Sequence, residues 1–131
     1  MPNPTTKKKA EQDLAEGKSA STAAGEFVRE EIHHVREGKH GARNTKQAIA
    51  IGLSEARRAG IAAKPGPTAS QRTKTKAARD SARAGKKPDP KRVRAGKKAV
   101  AREPHRAASS SALSKQAKAS AKRRKAADEK R

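Results

Sequence analysis

The chain has 131 residues, with 34 Lys or Arg against 13 Asp or Glu, a formal net charge of +21, one Phe and no Trp, Tyr or Cys. Without Cys there are no disulfides and no Cys-based zinc fingers, and a single aromatic side chain excludes RNA-recognition-motif and oligonucleotide-binding-barrel readers, which stack bases on aromatic platforms. An excess of cations this large makes a polyanion the expected partner, because each Lys or Arg that reaches a phosphate releases a condensed counterion.

Residues 1–21 read as a near-neutral leader with four Lys and three acidic side chains. A transient helix over 7–16 fits Glu11, Leu14 and Ala15, with Gly17 to end it. Only Leu14 offers an apolar anchor, so the leader is expected to be mobile.

Outside the basic tail the large apolar residues are Leu14, Phe27, Val28, Ile32, Val35, Ile49, Ile51, Leu53 and Ile61. All but Leu14 lie between 27 and 61, which places the core there. Ser21 or Thr22 can cap a first helix, with Glu26 and Glu30 near its positive end. Val28, Ile32 and Val35 fall at i, i+4 and i+7, and Phe27 widens that stripe. Gly38 stops the helix, and Lys39-His40-Gly41-Ala42-Arg43 forms a short loop. Asn44 or Thr45 then caps a second helix, Asn44 with Gln47 fitting a capping box. Its expected buried line is Ile49, Leu53 and Ala56, while Ala48 and Gly52 permit close approach of the first helix. Gly60 ends it, and Ile61 takes the hydrophobic position beyond a glycine cap.

The expected fold is mostly α with extensive disorder: a short αα-hairpin over about 22–61, in a domain ending at 62, between the leader and a long tail. A hairpin of roughly 40 residues is small for an independent domain. With no disulfide available, self-association into a homo-oligomer through the hairpin is the expected support.

Beyond Pro65-Gly66-Pro67 the pattern changes. Residues 64–131 carry 23 Lys or Arg, five acidic side chains and only Val93, Val100 and Leu113 as large aliphatics. Such a segment buries too little apolar surface to offset the entropy of ordering, so residues 63–131 are expected to be disordered or nascent-helical. Arg83-Ala84-Gly85-Lys86-Lys87 recurs as Arg94-Ala95-Gly96-Lys97-Lys98 in a low-complexity style. Asp89-Pro90 resembles a helix start, and Ser110 to Lys130 is alanine-rich enough for nascent helix. There Lys115, Lys118, Lys122 and Lys125 share a helical face, and phosphate contact would relieve their repulsion and induce the helix.

The stretch Gly25-Glu26-Phe27-Val28-Arg29-Glu30-Glu31-Ile32-His33-His34-Val35-Arg36-Glu37-Gly38, continuing through Lys39-His40-Gly41-Ala42-Arg43-Asn44-Thr45-Lys46-Gln47-Ala48-Ile49 to Gly60, resembles an uncharacterised family of small basic bacterial proteins. The resemblance implies a bacterial source and a genuine domain over residues 25–60, and it implies no activity. The tail resembles, by composition alone, bacterial proteins similar to the C-terminal domain of linker histone, which implies charge-driven DNA compaction. It lacks the Ser-Pro-Lys-Lys type of motif.

Three motifs carry potential chemistry. Glu30 with His33 or His34, then Glu37 and His40, has metal-ligand residue types, and Glu-x-x-His is half of a di-iron carboxylate motif. No second copy exists in the chain, so the expectation is a solvated face with i,i+4 pairing and no metal. Gly38-Lys39-His40-Gly41 matches the loop by which KH domains clamp a nucleic-acid backbone, but the flanking strands are missing and glycine stops explain it. Lys39, His40, Arg43 and Lys46 still gather at the second helix's N-terminus, where anions are favoured. Arg57 and Arg58 complement the negative end of that helix or extend the basic surface.

No Cys nucleophile, strained Ser or pocketed carboxylate pair is present, so neither an enzyme nor a cofactor is expected. The longest apolar run, Ala48-Ile49-Ala50-Ile51, is too short to span a membrane. The leading expectation is a DNA-condensing, nucleoid-associated protein of the cytoplasm that binds without base specificity. Its phosphate contacts would come from Lys39, Arg43, Lys46, Arg57 and Arg58 in the hairpin. In the tail they would come from Lys86, Lys87, Arg92, Arg94, Lys97, Lys98, Lys115, Lys118, Lys122, Arg123, Arg124 and Lys125. RNA or ribosome association is the first alternative, and an adaptor whose hairpin binds a protein is the second.

Overall fold

The computed structural model describes residues 4–66, 69–87 and 89–129, so Pro67, Lys130 and Arg131 of the readings above lie outside the described residues. The leader is helical: α1 spans Pro4–Ala15. Its contact residue is Ala10, fully buried, while Leu14, the expected anchor, is 40% exposed. Alanine suffices because the facing surface of the next helix is itself made of alanines, and small side chains let the two backbones approach. Ala10, Ala23, Ala24, Phe27, Ala56, Ile61 and Ala63 form one cluster.

Helix α2, Ala20–Arg36, starts earlier than expected because Ser19, rather than Ser21 or Thr22, is its cap, its Oγ accepting from the Thr22 N–H at 3.2 Å. Helix α3, Thr45–Arg58, is capped by Asn44 as the sequence implies, with the Gln47 N–H donating to Asn44 Oδ1 at 2.8 Å. The Gln47 side chain reaches back to the Arg43 N–H, one residue before the cap. Gly38 and Gly60 close α2 and α3 at φ +78° and +97°. Ile61 then buries itself against Phe27, its N–H donating to the Ala56 carbonyl at 2.9 Å. The seam between α2 and α3 closes where Gly52 meets the Val28 backbone; a Cβ there would stand 2.6 Å from Val28 Cα.

The expected extensive disorder is overturned. Among the described residues the tail forms α4 (Gln71–Ala82), α5 (Pro90–Ala101), a 3-10 turn (Arg106–Ala108) and α6 (Ser110–Glu129). Large aliphatics are few in the tail, but it docks by other means. Helix α4 is held to α3 by Asp80, 2% exposed, which accepts from Ser54 Oγ at 2.9 Å and pairs with Arg58 at 3.3 Å and Lys76 at 3.2 Å. Burial alone would push the Asp80 carboxyl up, but the Ser54 hydroxyl and the Lys76 and Arg58 cations together hold it below its ordinary 3.8. Its contribution to stability is therefore complete above that value and is lost as pH falls through the lower folded-state pKa.

The 3-10 turn inserts Ala107 and Ala108 between α2 and α3, completing a second cluster with Val35, Ala42 and Ala48. Residues 107–108 lie far beyond the hairpin in sequence, so a distant part of the chain itself adds to the hairpin's apolar packing. Helices α5 and α6 bury no residue and rest on local order: Asp89 caps α5 with Pro90 behind it, and Ser109 Oγ accepts from the Ala112 N–H at 3.1 Å. Among the described residues no helix is long and apolar enough to cross a membrane.

The Gly52 contact involves backbone atoms that cannot give way, so Gly52→Ala should cost about 1–3 kcal/mol despite its better helix propensity. Gly25 lies within α2 with nothing within 4 Å of an added Cβ. Gly25→Ala should therefore stabilise by roughly 0.5–1 kcal/mol. Urea denaturation of both variants checks the pair; equal effects would contradict the packing described.

Candidate nucleic-acid interface

The loop between α2 and α3 turns the chain at its glycines, and its inner side is already occupied. The Gly41 N–H donates to the Val100 carbonyl at 2.8 Å and the Ala42 N–H to that of Pro104 at 2.9 Å. A Cβ at Gly41 would stand 1.7 Å from the Glu103 carbonyl oxygen. The glycine serves this internal backbone crossing rather than a clamp around a foreign backbone.

Two side chains fix the next stretch: Thr45 Oγ1 donates to the Ala107 carbonyl at 2.6 Å, and Arg36 Nε to that of Ala108 at 2.7 Å. These bonds lay the 3-10 turn across the start of α3 and set the start of α6 beside it. Between them lies a cleft of about 500 Å³, lined among others by Arg43, Lys46, Arg106, Lys115 and the Asn44–Thr45 start of α3. Four cations and the first turn of a helix, whose leading N–H groups lack intrahelical acceptors, favour an anion there. The cleft thus unites Arg43 and Lys46 with Lys115. It adds Arg106, which no local pattern singles out because only the tail's return brings it here.

The other expected contacts are distributed differently. Lys39 is exposed and lies 3.5 Å from Glu37. Arg57 is buried, with Nε donating to the Ala63 carbonyl at 2.7 Å, so it ties down the segment after α3. Arg58 pairs with Asp80. Lys86 and Lys87 are exposed in the turn after α4. On α5 Arg92, Arg94, Lys97 and Lys98, and on α6 Lys118, Lys122, Arg123, Arg124 and Lys125, are exposed, and among the described residues none has an ion pair. Arg123 bonds only Ser120, at 3.3 Å.

The histidine segment departs from a solvated face. His33 is exposed and pairs with Glu37 at 2.7 Å, as i,i+4 spacing implies. Glu31, however, is 3% exposed. Its Oε2 lies 3.1 Å from His40 Nε2 and its Oε1 3.7 Å from His34 Nδ1. The two imidazoles meet edge-on at 5.9 Å between centroids. From α3, Glu55 joins them. Burial first, and then the charge of Glu31, push the Glu55 carboxyl up to about 8. Glu31, His34 and His40 each offer a ligand atom within 4.8 Å of the others. Residue types mark Glu30, His33, His34, Glu37 and His40 and the i,i+4 pairing here, but neither Glu31 nor Glu55.

The molecule is an all-helical domain in which a hairpin packs against its preceding helix in one apolar cluster and against a returning cationic tail in a second. Residues 15–65, from the end of α1 to the segment tied down by Arg57, match the model of a family of unknown function (DUF6496). No curated protein and no solved structure matches the chain.

Because Glu55 keeps its proton in the folded state and releases it near the ordinary 4.5 when unfolded, its contribution to stability is complete below 4.5 and lost as pH rises towards 8. In EDTA-containing buffer the melting temperature should therefore fall between about pH 5 and pH 8.5, and Glu55→Gln should flatten that fall. An unchanged slope in the variant would contradict the burial of Glu55 against Glu31.

Proposed function

We propose that this protein binds nucleic acid without base specificity, duplex DNA foremost, and acts as a DNA-condensing, nucleoid-associated protein. The observation that carries this reading is the set of unpaired cations on exposed helices. Helix α5 holds five Lys or Arg and no acid, and α6 holds six, with Asp128 and Glu129 at its end. Like charges at i,i+3 and i,i+4 on such helices cost a few tenths of a kcal/mol per pair, a cost that phosphates remove. The cleft at the starts of α3 and α6 supplies a more enclosed phosphate site, which shares Lys115 with the α6 row.

A helix of 20 residues such as α6 is about 30 Å long, roughly nine base-pair steps. One such helix laid along a backbone can engage several phosphates in register. Base reading has little support: Gln116, the sole amide side chain on α6, is half-buried, and Lys and Arg dominate both helices.

Removing the tail is not a clean test, because residues 100–108 complete the core. The informative experiment is a fluorescence-anisotropy titration of duplex DNA across a salt series, using the full chain and a variant with Lys115, Lys118, Lys122 and Lys125 changed to Gln. Each phosphate contact contributes about 0.9 to the log–log salt slope, so the variant should lose about 2–4 from that slope and at least about tenfold in affinity near physiological salt. An unchanged slope would remove α6 from the interface, and absence of binding by the full chain would end the reading. Preference for a structured RNA competitor over duplex DNA would redirect it to RNA.

A further inference from the structure

The cluster around Glu31 lacks a positive centre. His40 Nδ1 lies 2.9 Å from the Gly41 carbonyl oxygen, which can only accept, so Nδ1–H points there and Nε2 is the ring nitrogen that faces Glu31. It lies 3.1 Å from Glu31 Oε2, which is buried and without a hydrogen-bond partner. On the other side, His34 Nε2 lies 3.5 Å from Glu30 Oε1 and His34 Nδ1 3.7 Å from Glu31 Oε1. The Glu30 carboxylate favours a proton on Nε2, which leaves Nδ1 as the acceptor facing Glu31. Both rings are therefore oriented by an outer acceptor, a backbone carbonyl for one and a carboxylate for the other, in the arrangement that surrounds metal-bound histidines.

We propose that Glu31, His34 and His40, with Glu55 beside them, bind one divalent first-row transition-metal ion of the zinc class. Bonds of about 2.0–2.2 Å at tetrahedral to octahedral angles place neighbouring ligand atoms about 2.9–3.5 Å apart. The 3.1 Å separation already lies in that range, whereas the 3.7 Å one runs to the other oxygen of Glu31, and the three ligand atoms, all within 4.8 Å of one another, draw together as the ion binds. Two imidazole nitrogens with carboxylate oxygens suit zinc, iron(II), cobalt or manganese, whereas magnesium and calcium favour all-oxygen sets. His34 and Glu30 also line a cleft of about 470 Å³ between α1 and α2, which gives the ion a way in. Bound there, the ion ties α2, the interhelical loop and α3 together. This inference is independent of the nucleic-acid reading, since none of these residues lies in the cationic cleft.

The test is calorimetric titration of the EDTA-treated, dialysed full chain with zinc chloride, alongside His34→Gln, His40→Gln and the control His33→Gln. The expected result is one ion per chain, at least tenfold weaker binding in His34→Gln and His40→Gln, no change in His33→Gln, and a higher melting temperature of the wild-type chain with zinc. Circular dichroism checks that each variant keeps its helices. Cobalt(II) titration of the wild-type chain is a second readout that needs no variant: visible absorption bands that zinc then abolishes support the site. Equal loss in all three variants, equal binding in His40→Gln and the wild-type chain, or a cobalt-treated protein without such bands would overturn it.

Discussion

The fold depends on a few backbone carbonyls in the returning tail. Val100, Pro104, Ala107 and Ala108 accept hydrogen bonds from Gly41, Ala42, Thr45 and Arg36. Each buried backbone acceptor left without a partner costs about 1–3 kcal/mol, so these pairings are a strong constraint in a domain with so few large side chains. They explain why Gly41 has no room for a side chain. They seat Ala107 and Ala108 in the core, and they place Arg106 and Lys115 opposite Arg43 and Lys46. The second apolar cluster and the cationic cleft therefore follow from one return of the chain.

Charge is sorted by burial. Of the buried carboxylates, Asp80 docks α4 and Glu31 meets the two histidines at the seam of α2 and α3, with the half-buried Glu55 beside it. The cations of α5 and α6 have no such partners among the described residues. This arrangement leaves the positive field outside, where a polyanion can reach it, and concentrates the negative charge at the hairpin seam. The proposed phosphate surface and the proposed metal centre use opposite signs in different parts of the molecule.

The hairpin was legible because its signals are local. Asn44 caps α3, Gly52 marks the close approach and Ile61 follows the glycine cap, all at spacings that elementary helix geometry dictates. The tail was misjudged because alanines, a buried aspartate and main-chain carbonyls provide docking that no count of large aliphatics detects. Of the site, Arg43, Lys46 and Lys115 could be named, but not that they share a cleft with Arg106, nor that Arg57 is spent internally. Glu31 was within reach: it lies four residues after Phe27 and four before Val35, on the face that is in fact buried. The adjacent Val28–Ile32 line drew the stripe one residue away, and the Glu30-Glu31 and His33-His34 doublets hid which member of each turns inward.

The folded tail returns onto the hairpin and carries its cations outward, and we propose that nucleic acid meets them there. Site-resolved amide hydrogen exchange tests it most directly, on the free chain and with duplex DNA at low and high salt. The account requires the Gly41 and Ala42 amides to be protected in the free chain, and the amides of α5 and α6 to gain protection from DNA at low salt and lose that gain at high salt. Unprotected Gly41 and Ala42 amides, or α5 and α6 amides indifferent to DNA at low salt, would contradict it.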